Sequence, residues 1–561
     1  MGLGLGSWSK KTLALSLAFM SAYVAHVWSY SFLNDDAYIS FRYALNWVDF
    51  GEVTYNLGER VEGYTNFLWV ALLALGYRLG ADIPNLSIYL SIGLGLITVM
   101  GSALYSAHLE SAVSKKQKRV LLTLILLSLS PSFACWTTGG LEVQLFTACY
   151  TLSVLLSVRA WQIQDQKNIS SQQKSKAGVW AGSVLALASM TRPEGLLLFA
   201  SLGLFRILSL GKQRAWLKAS DYGAIIGFSL IYLPYFIWRY QYYGYAFPNT
   251  YYAKVGASGF WRPGLNYVGE YLLFHAWLPL VFALKAWFSL GKPKAADALC
   301  YKSKYLWPAF LISAFAHSLH VARVGGDFMA LHRFLVPLLP LAAILASEYL
   351  VGLYKPSDAN EQNVAKEQNI AKVQDMQTKN SIPKSLVLIL GLLITLTSMA
   401  FYIHQDANRI GSRNGVDSIG WLRQFSEQCA ITGKFIREHT DPKIKLATTA
   451  AGALPFYAQR YTLDLLGLND EWIAHHVPAR GHRPGHTKSA PFKYPIDQKI
   501  DLLVYHPSFS HRASRPSSRM QRALQPFGYE WKSYQVPQLQ PSWWSVWQKK
   551  DVNIKSDLTH K

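Results

Sequence analysis

Long runs of apolar residues recur through the first four hundred residues of this chain, and they constrain its fold more than any other feature. A helix needs about 20 apolar residues to cross a bilayer, and the runs beginning at Leu13 and Leu86 reach that length. Charged residues make up 16% of the chain, whereas about a quarter of an ordinary soluble protein is charged. The sequence therefore predicts a polytopic membrane protein that is mainly α-helical.

The apolar runs predict eleven membrane helices. The first is interpreted as an uncleaved helix, because no small-residue cleavage site follows it. The run Phe67–Leu79 is too short to cross and is expected to lie along the outer membrane surface. The expected spans lie near 13–32, 86–108, 119–134, 141–158, 178–190, 195–208, 220–238, 271–289, 305–321, 334–353 and 385–403.

The distribution of basic residues predicts the orientation of these helices. The net charge of +22 does not form one patch, as nucleic-acid binding would require, but is spread over the turns between apolar runs. The positive-inside rule then predicts a cytoplasmic N-terminus, a membrane domain over residues 1–403 with a first outer loop at 34–85, and an outer C-terminal segment. Residues 355–384, rich in Gln, Asn and Lys, are predicted to form a flexible inner loop.

Residues 404–561 are predicted to form an extracytoplasmic α/β domain. The segment Gly415–Thr440 has helical periodicity, and short apolar stretches around it have the length and composition of strands. The expected strands are Ile444–Thr449, Tyr461–Leu466 and Ile500–Tyr505, with Tyr529–Val536 and Trp543–Gln548 as edge strands.

Two adjacent acids, Asp35 and Asp36, follow the first apolar run. One interpretation is a helix start, with Asn34 as the cap and the acids favoured by the helix dipole. The other is catalytic: Arg42 lies seven residues after Asp35, so the two would share a helical face. A carboxylate there can take a proton from a sugar hydroxyl, and an arginine can hold a phosphate. Both interpretations can hold together.

Two further outer segments combine glycine with ionisable residues. Thr191–Gly195 can be a tight turn, yet Arg192 and Glu194 would then lie at or below the membrane surface, where burial of charge is costly. In Arg323–Arg333 the terminal arginines can be a snorkelling rim. With Asp327 and His332 between them, this segment instead favours a phosphate or sugar site.

Three weaker candidates remain on the outer face. The loop Phe247–Lys254, with Asn249, Tyr251 and Lys254, fits sugar binding and an aromatic belt equally well. Glu142 can contact sugar or only favour a helix N-terminus. In the loop Ala474–Lys488, His486 is expected to form hydrogen bonds or contact the acceptor, because its histidines lack the spacing of metal ligands.

Several of these motifs, in order, resemble the GT-C class of membrane glycosyltransferases. The similarity is greatest to the terminal arabinofuranosyltransferases of the AftB type and to the LphB-like bacterial membrane proteins. The motifs that carry the resemblance are Asp35–Tyr43, Gly58–Trp69, Thr138–Glu142, Thr191–Gly195, Gly325–Met329, Arg333–Pro337 and Asp464–Asp470.

The resemblance implies a bacterial inner-membrane enzyme whose donor is a polyprenyl-phosphate sugar. It implies that Asp35 is the base and that Asp36 supports it. The outer domain would help to bind an envelope glycan or glycolipid acceptor, with Asp464 and Asp470 among the contacts. No cofactor or metal site is expected, although a divalent cation stays open as an alternative.

The main hypothesis is an inverting glycosyltransferase. Four arginines would stabilise the departing lipid phosphate: Arg42, Arg192, Arg323 and Arg333. One alternative is a transporter or flippase of lipid-linked sugars, which usually carries ionisable groups near the midplane and related halves. The other is a non-catalytic, glycan-binding membrane scaffold.

Overall fold

The fold consists of a helical N-terminal part followed by a C-terminal α/β domain. The computed structural model describes residues 9–110, 112–210, 217–254, 260–274, 304–352, 401, 403–413, 415–481 and 483–554. The predicted inner loop 355–384 and most of the predicted spans 271–289 and 385–403 lie outside these residues.

Four helices in the described residues are long and apolar enough to cross a membrane: Lys10–Tyr30, Ile83–His108, Val143–Asp165 and Ala219–Tyr243. The remaining helices of this part are Ala37–Phe50, Phe67–Arg78, Val113–Ser128, Pro131–Cys135, Ser171–Thr191, Glu194–Ser209, Asn249–Lys254, Trp261–Phe274, Leu306–Arg323 and Leu339–Gly352, with a 3₁₀ segment at Arg333–Leu338.

The predicted spans coincide with helices wherever the structure describes them, but their number stays a prediction. One boundary is wrong: the span expected at 119–134 is broken between Ser128 and Pro131. The Ser130 side chain accepts a hydrogen bond from the Phe133 N–H, and Pro131 occupies the first turn of the new helix. A capping serine and a proline at this position start a helix and therefore end the preceding one.

Two helices, Ser171–Thr191 and Ala219–Tyr243, touch backbone to backbone through glycines spaced four residues apart. A Cβ atom added to Gly182 would lie 1.9 Å from the carbonyl oxygen of Ala224. The glycines in this contact are Gly178, Gly182, Gly223 and Gly227. Small residues at this spacing let membrane helices approach closely. This close packing fixes the helix Ser171–Thr191, and Arg192 follows directly at its end.

The C-terminal domain is built around a five-stranded sheet. A two-stranded ribbon, β1 (Ser412–Arg413) and β2 (Val416–Asp417), precedes the long helix Ile419–His439. The sheet has the order β4-β3-β5-β7-β6. Its strands are β3 (Lys445–Thr448), β4 (Tyr461–Asp464), β5 (Leu502–Ser510), β6 (Tyr529–Gln535) and β7 (Trp543–Lys549).

The first three strands of the sheet are parallel, and the last two extend it antiparallel. All five strands begin within two residues of their predicted positions. The prediction that Trp543–Gln548 is an edge strand is wrong, because β7 lies between β5 and β6. Trp544 and Val546 are fully buried there. Short helices join the strands: Ala453–Ala458, Glu471–His476, Tyr494–Asp497 and Ser518–Leu524.

Candidate active site

Asp35 and Asp36 lie in the loop that precedes the helix Ala37–Phe50. The Asn34 side chain accepts a hydrogen bond from the Asp36 backbone N–H at 2.9 Å. This is a turn ahead of the helix, so the prediction that Asn34 caps the helix is wrong. Asp36 occupies the capping position, but its side chain makes no capping bond. Both carboxylates are therefore directed to groups outside their own helix.

The Asp35 carboxylate is held by the C-terminal domain. It accepts hydrogen bonds from the backbone N–H of Ala453 at 2.8 Å and of Gly452 at 3.2 Å. Burial raises the pKa of Asp35 to about 7; the two N–H groups oppose this rise and the Asp36 charge adds to it. A carboxyl group with a pKa near neutrality is suited to accept a proton in a reaction at physiological pH.

Gly452 fits this contact because it has no side chain. A Cβ atom there would lie 1.8 Å from the carbonyl oxygen of Asp35. No side chain tolerates that distance from a backbone atom. The two segments, far apart in sequence, therefore meet only if this position is glycine.

Arg42 binds the other end of the same short helix, Ala453–Ala458. It donates to the carbonyl oxygens of Pro455 at 3.0 Å and Arg460 at 2.8 Å. It also donates to the Tyr55 carbonyl at 2.7 Å and to Asn56 Oδ1 at 3.1 Å. An acid at the helix N-terminus and a cation beyond its C-terminus both complement the helix dipole.

These contacts occupy four of the five N–H groups of Arg42 and so disfavour the predicted phosphate contact, which stays a prediction. The shared-face argument also fails, since Asp35 precedes the helix that carries Arg42. The two residues do meet one partner, but that partner is a helix of the C-terminal domain.

Asp36 belongs to a group of charges that includes Lys254 and His486. Lys254 stays accessible to solvent, yet burial by surrounding protein lowers the pKa of its ammonium, against the charges of Asp36 and Asp327. Burial likewise lowers the pKa of His486, and Asp36 opposes this change. The His486 ring packs edge-on against Phe328, with 4.7 Å between centroids.

Asp327 and Arg333 form a buried ion pair on the membrane-domain side of this group. Burial raises the pKa of Asp327, the Arg333 charge lowers it, and Asp36 raises it. The Arg333 guanidinium also lies 5.5 Å from the centre of the Trp136 ring. Asp327 and Arg333 engage each other and also act on the charge of Lys254, and their predicted roles in binding stay predictions.

Arg192 lies between two carboxylates, at 2.9 Å from Glu142 and 2.7 Å from Glu194. Glu142 also accepts a hydrogen bond from Asn66 at 2.8 Å. This triad carries a net negative charge, so direct binding of a phosphate by Arg192 is disfavoured. Glu142 and Glu194 are both engaged with Arg192, and their predicted contacts with sugar or acceptor stay predictions.

Three predicted acceptor contacts hold the C-terminal domain together instead. Asn249 donates to the carbonyl oxygens of Gly467 and Leu468, both at 3.0 Å. Asp464 is fully buried and accepts from the backbone of the loop that follows it. Asp470 accepts from the Ile473 N–H at 2.7 Å and so caps the helix Glu471–His476. These hydrogen bonds disfavour the predicted sugar contacts, which stay predictions.

Tyr251 and Arg323 form no hydrogen bond or ion pair with the group around Asp36 in the described residues, and the predicted contacts of these two residues and of His332 stay predictions. Tyr251 is exposed and stacks on Phe247. Arg323 is exposed at the end of its helix, with no ion pair or hydrogen bond in the described part of the chain. His332 packs on Tyr267 at 4.7 Å and lies 3.7 Å from Glu270.

Comparison with known sequences identifies relatives of the chain. A family model described as a domain of unknown function (DUF8728) matches residues 421–552. A terminal beta-(1->2)-arabinofuranosyltransferase of Corynebacterium glutamicum is 31% identical over 349 residues, or 57% of this chain and 48% of the relative. The protein of the same name from Mycobacterium tuberculosis is 27% identical over 339 residues, or 56% and 52%. The chain thus spans about half the length of these curated relatives.

Solved structures match over a larger share of the chain. ArnT from Cupriavidus metallidurans bound to undecaprenyl phosphate has a TM-score of 0.56 at 14% identity, covering 96% of this chain and 98% of that one. The apo oligosaccharyltransferase of Archaeoglobus fulgidus has a TM-score of 0.55 at 11% identity, covering 98% and 76%. This chain has the GT-C fold.

The GT-C resemblance inferred from the motifs is therefore confirmed. Sequence reasoning missed two features of the GT-C site. One is Gly452, which holds Asp35. Arg483, ion-paired with the buried Asp417, lies three residues before His486 in the same Gly/Pro-rich loop, and that proximity was the available signal.

The candidate site combines a proton acceptor with an accessible cation. Asp35 is oriented by backbone N–H groups, whereas Lys254 has no ion-pair or hydrogen-bond partner among the residues that the structure describes. The same residues contain no group of three or more side chains suited to hold a metal ion. Such an arrangement can remove a proton from one reactant and neutralise a negative charge on another.

Proposed function

We propose that this protein is an inverting glycosyltransferase of the bacterial inner membrane. It transfers a monosaccharide from a polyprenyl-phosphate donor to an extracytoplasmic glycan or glycolipid. The observation that carries this proposal is Asp35, a carboxyl group with a pKa of about 7 beside Asp36, whose charge also acts on Lys254. The names of the curated relatives support sugar transfer, and solved neighbours are bound to undecaprenyl phosphate or dolichol-phosphate.

In the proposed reaction, Asp35 accepts the proton of the acceptor hydroxyl while that oxygen attacks the anomeric carbon. The bond between the anomeric carbon and the donor phosphate oxygen breaks, and its electron pair leaves with the polyprenyl phosphate. Attack opposite the leaving group inverts the anomeric configuration. The two N–H groups that bind Asp35 fix its orientation for this step.

The leaving phosphate is assigned to Lys254, supported by His486 and Arg333. Lys254 is the preferred ligand because it is accessible and uncommitted in the described chain, whereas Arg42 donates to four protein acceptors and Arg192 lies between two carboxylates. Negative charge grows on the phosphate as the bond breaks, so a fixed cation stabilises the transition state more than the ground state.

The proposed topology follows the charge pattern of the sequence. Eleven helices, a cytoplasmic N-terminus and an outer C-terminal domain would put the site at the outer membrane surface. A polyprenyl-linked sugar presents its reactive carbon at that depth, because its chain is anchored in the bilayer. The C-terminal domain would bind the acceptor.

The test uses membranes from wild-type, deletion and Asp35→Asn strains. Lipid-linked sugars are extracted and quantified by mass spectrometry, with polyprenyl-phosphate pentoses sought first because of the relatives' names. Accumulation of one species in both the deletion and the point mutant is the expected result. Absence of any accumulation in the deletion strain would contradict the lipid-donor proposal.

A further inference from the structure

A second polar group lies on the C-terminal domain, away from the charges around Asp36. The chain leaves β3 for its neighbour β4 on one side, and the other parallel neighbour, β5, lies on the opposite side. In open sheets with parallel strands, ligands bind in the crevice at the carboxyl ends of the strands where the connections diverge. Here that point lies between the ends of β3 and β5.

Two side chains meet at this crevice. Thr449 follows β3 directly, and its hydroxyl lies 3.3 Å from Nδ1 of His506. His506 is exposed and comes one residue after Tyr505, the last residue of β5 that pairs with β3. The Thr449 backbone donates to the Tyr505 carbonyl at 2.8 Å, so the pairing continues up to the crevice.

Aromatic rings back the exposed histidine. His506 stacks on Phe425 with 5.2 Å between centroids and 7° between planes. Phe425 stacks in turn on Trp421 at 4.9 Å and 7°. Both rings come from the helix Ile419–His439 and are half-buried. The exposed ring of His506, supported by this stack and beside the Thr449 hydroxyl, offers a flat face together with hydrogen bonds, as sugar binding requires.

Arg483 connects this crevice with the active site. Its guanidinium lies 4.6 Å from the centre of the Phe328 ring, which also contacts His486. Burial lowers the pKa of His506, and the Arg483 charge lowers it further against Asp417. The imidazole is thus neutral at pH 7 and can donate and accept hydrogen bonds. Since the buried Asp417 already balances Arg483, the crevice favours an uncharged ligand over an anion.

We propose that the crevice formed by Thr449, His506, Phe425 and Trp421 is a carbohydrate subsite. It rests on the proposed transferase function and would bind a sugar unit of the acceptor glycan next to the unit that carries the reacting hydroxyl. Its position fits this role, because Thr449 is three residues before Gly452, which holds Asp35.

The experiment measures transfer by the purified full chain in detergent. The donor is the species that accumulates in the deletion strain, and the acceptor probe is the envelope glycan prepared from that strain. His506→Ala is expected to raise KM for the glycan by about tenfold, the loss of roughly one well-made hydrogen bond and a ring contact. The kcat value and the donor KM should stay unchanged.

His511→Ala is the matched control. His511 is an exposed histidine of the same domain, and among the described residues it forms no hydrogen bond or ring contact with the crevice. Phe425→Leu is a second variant that removes the flat ring but keeps an apolar side chain. An unchanged glycan KM in both crevice variants would overturn the subsite, as would a fall in kcat at saturating glycan. Wild-type protein that transfers nothing would instead defeat the proposed function.

Discussion

Two sets of polar residues on the outer side of the chain look alike in sequence but differ in how their hydrogen bonds are used. In the first set, Arg42, Asn249, Asp464 and Asp470 direct their polar atoms to backbone groups of the C-terminal domain or the adjoining loop. In the second set, the polar side-chain atoms of Lys254 and Asp36 can still bind a ligand. The two sets do not differ in residue type or in outer location. They differ in whether their polar atoms already form hydrogen bonds with other groups of the protein.

Asp35 shares features of both sets: it binds backbone groups of the C-terminal domain, and its carboxylate can still accept a further hydrogen bond. Two backbone N–H groups orient its carboxylate, and each oxygen still has room for a further hydrogen. Burial and the neighbouring Asp36 keep its pKa near 7 despite those bonds. A residue that only capped a helix would gain from a low pKa, because capping stabilises the charged form.

The largest predicted effect follows from replacing Asp35. Asp35→Asn should lower kcat by about 10³-fold, because the amide cannot accept the proton. In the wild type, kcat/KM should rise with pH and level off above about pH 7, since Asp35 with its raised pKa is protonated and inactive below that value. Initial rates from pH 5 to 9 measure both.

Asp36→Asn is the matched control for that prediction. It removes a charge that raises the pKa of Asp35, so the midpoint of the profile should move to lower pH while turnover persists. If Asp36→Asn abolishes transfer and Asp35→Asn does not, Asp36 is the base and the assignment is reversed.

The next prediction compares two outer cations. Lys254→Met should lower kcat by about 10²-fold, the effect of removing one fixed group that stabilises developing negative charge. Arg323→Met should leave transfer unchanged, because Arg323 is exposed and forms no ion pair or hydrogen bond in the described part of the chain. Steady-state rates with saturating acceptor measure both variants. Equal losses in the two would show that general outer-surface charge matters and not the position of Lys254.

Local sequence patterns were sufficient to predict much of the fold. Apart from the break within 119–134, apolar periodicity predicted the helices that the structure describes between residues 13 and 352 and the five strands of the sheet, because these depend on neighbours within a few residues. Part of the candidate site was predictable from the sequence. The acids at 35–36 and the segment around Asp327 place charged groups at the membrane edge, and because such burial is costly, charged groups there indicate a function. The hydrogen-bond partners of Arg42 and Asp464 were not predictable, since only folding brings these partners next to them.

Gly452 illustrates why the rest could not be predicted. Its neighbours in sequence indicate a turn, but its partner Asp35 lies 417 positions away. Only packing of the C-terminal domain against the first outer loop brings the two together. The same holds for Arg42 and Arg460, which are 418 positions apart.

Gly452→Ala should therefore give an intermediate effect. The added methyl would push Asp35 from its two N–H partners, and turnover should fall by about tenfold because the base is misplaced. Loss of N–H bonds that lower the pKa of Asp35 should also move the pH midpoint upward, which a purely structural defect would not do. Gly420→Ala is the control: its Cβ would lie 2.4 Å from the Asn408 carbonyl oxygen, an equally crowded place without contact to Asp35. An equal upward shift in both variants would contradict the positioning role of Gly452.

The smallest change in turnover, and the sharpest test of the comparison, comes from Arg42→Met. The variant should lose stability, by about 3 kcal/mol, because buried carbonyl oxygens lose their donors. Molecules that stay folded should transfer sugar at nearly the wild-type kcat, since four of the five N–H groups of Arg42 donate to protein acceptors. Thermal unfolding in detergent and rates normalised to folded protein measure the two quantities separately. Arg409→Met, which removes an exposed ion pair with Asp406, should change neither. A large loss of kcat in stable Arg42→Met protein would return Arg42 to the phosphate site and remove the distinction between the two sets.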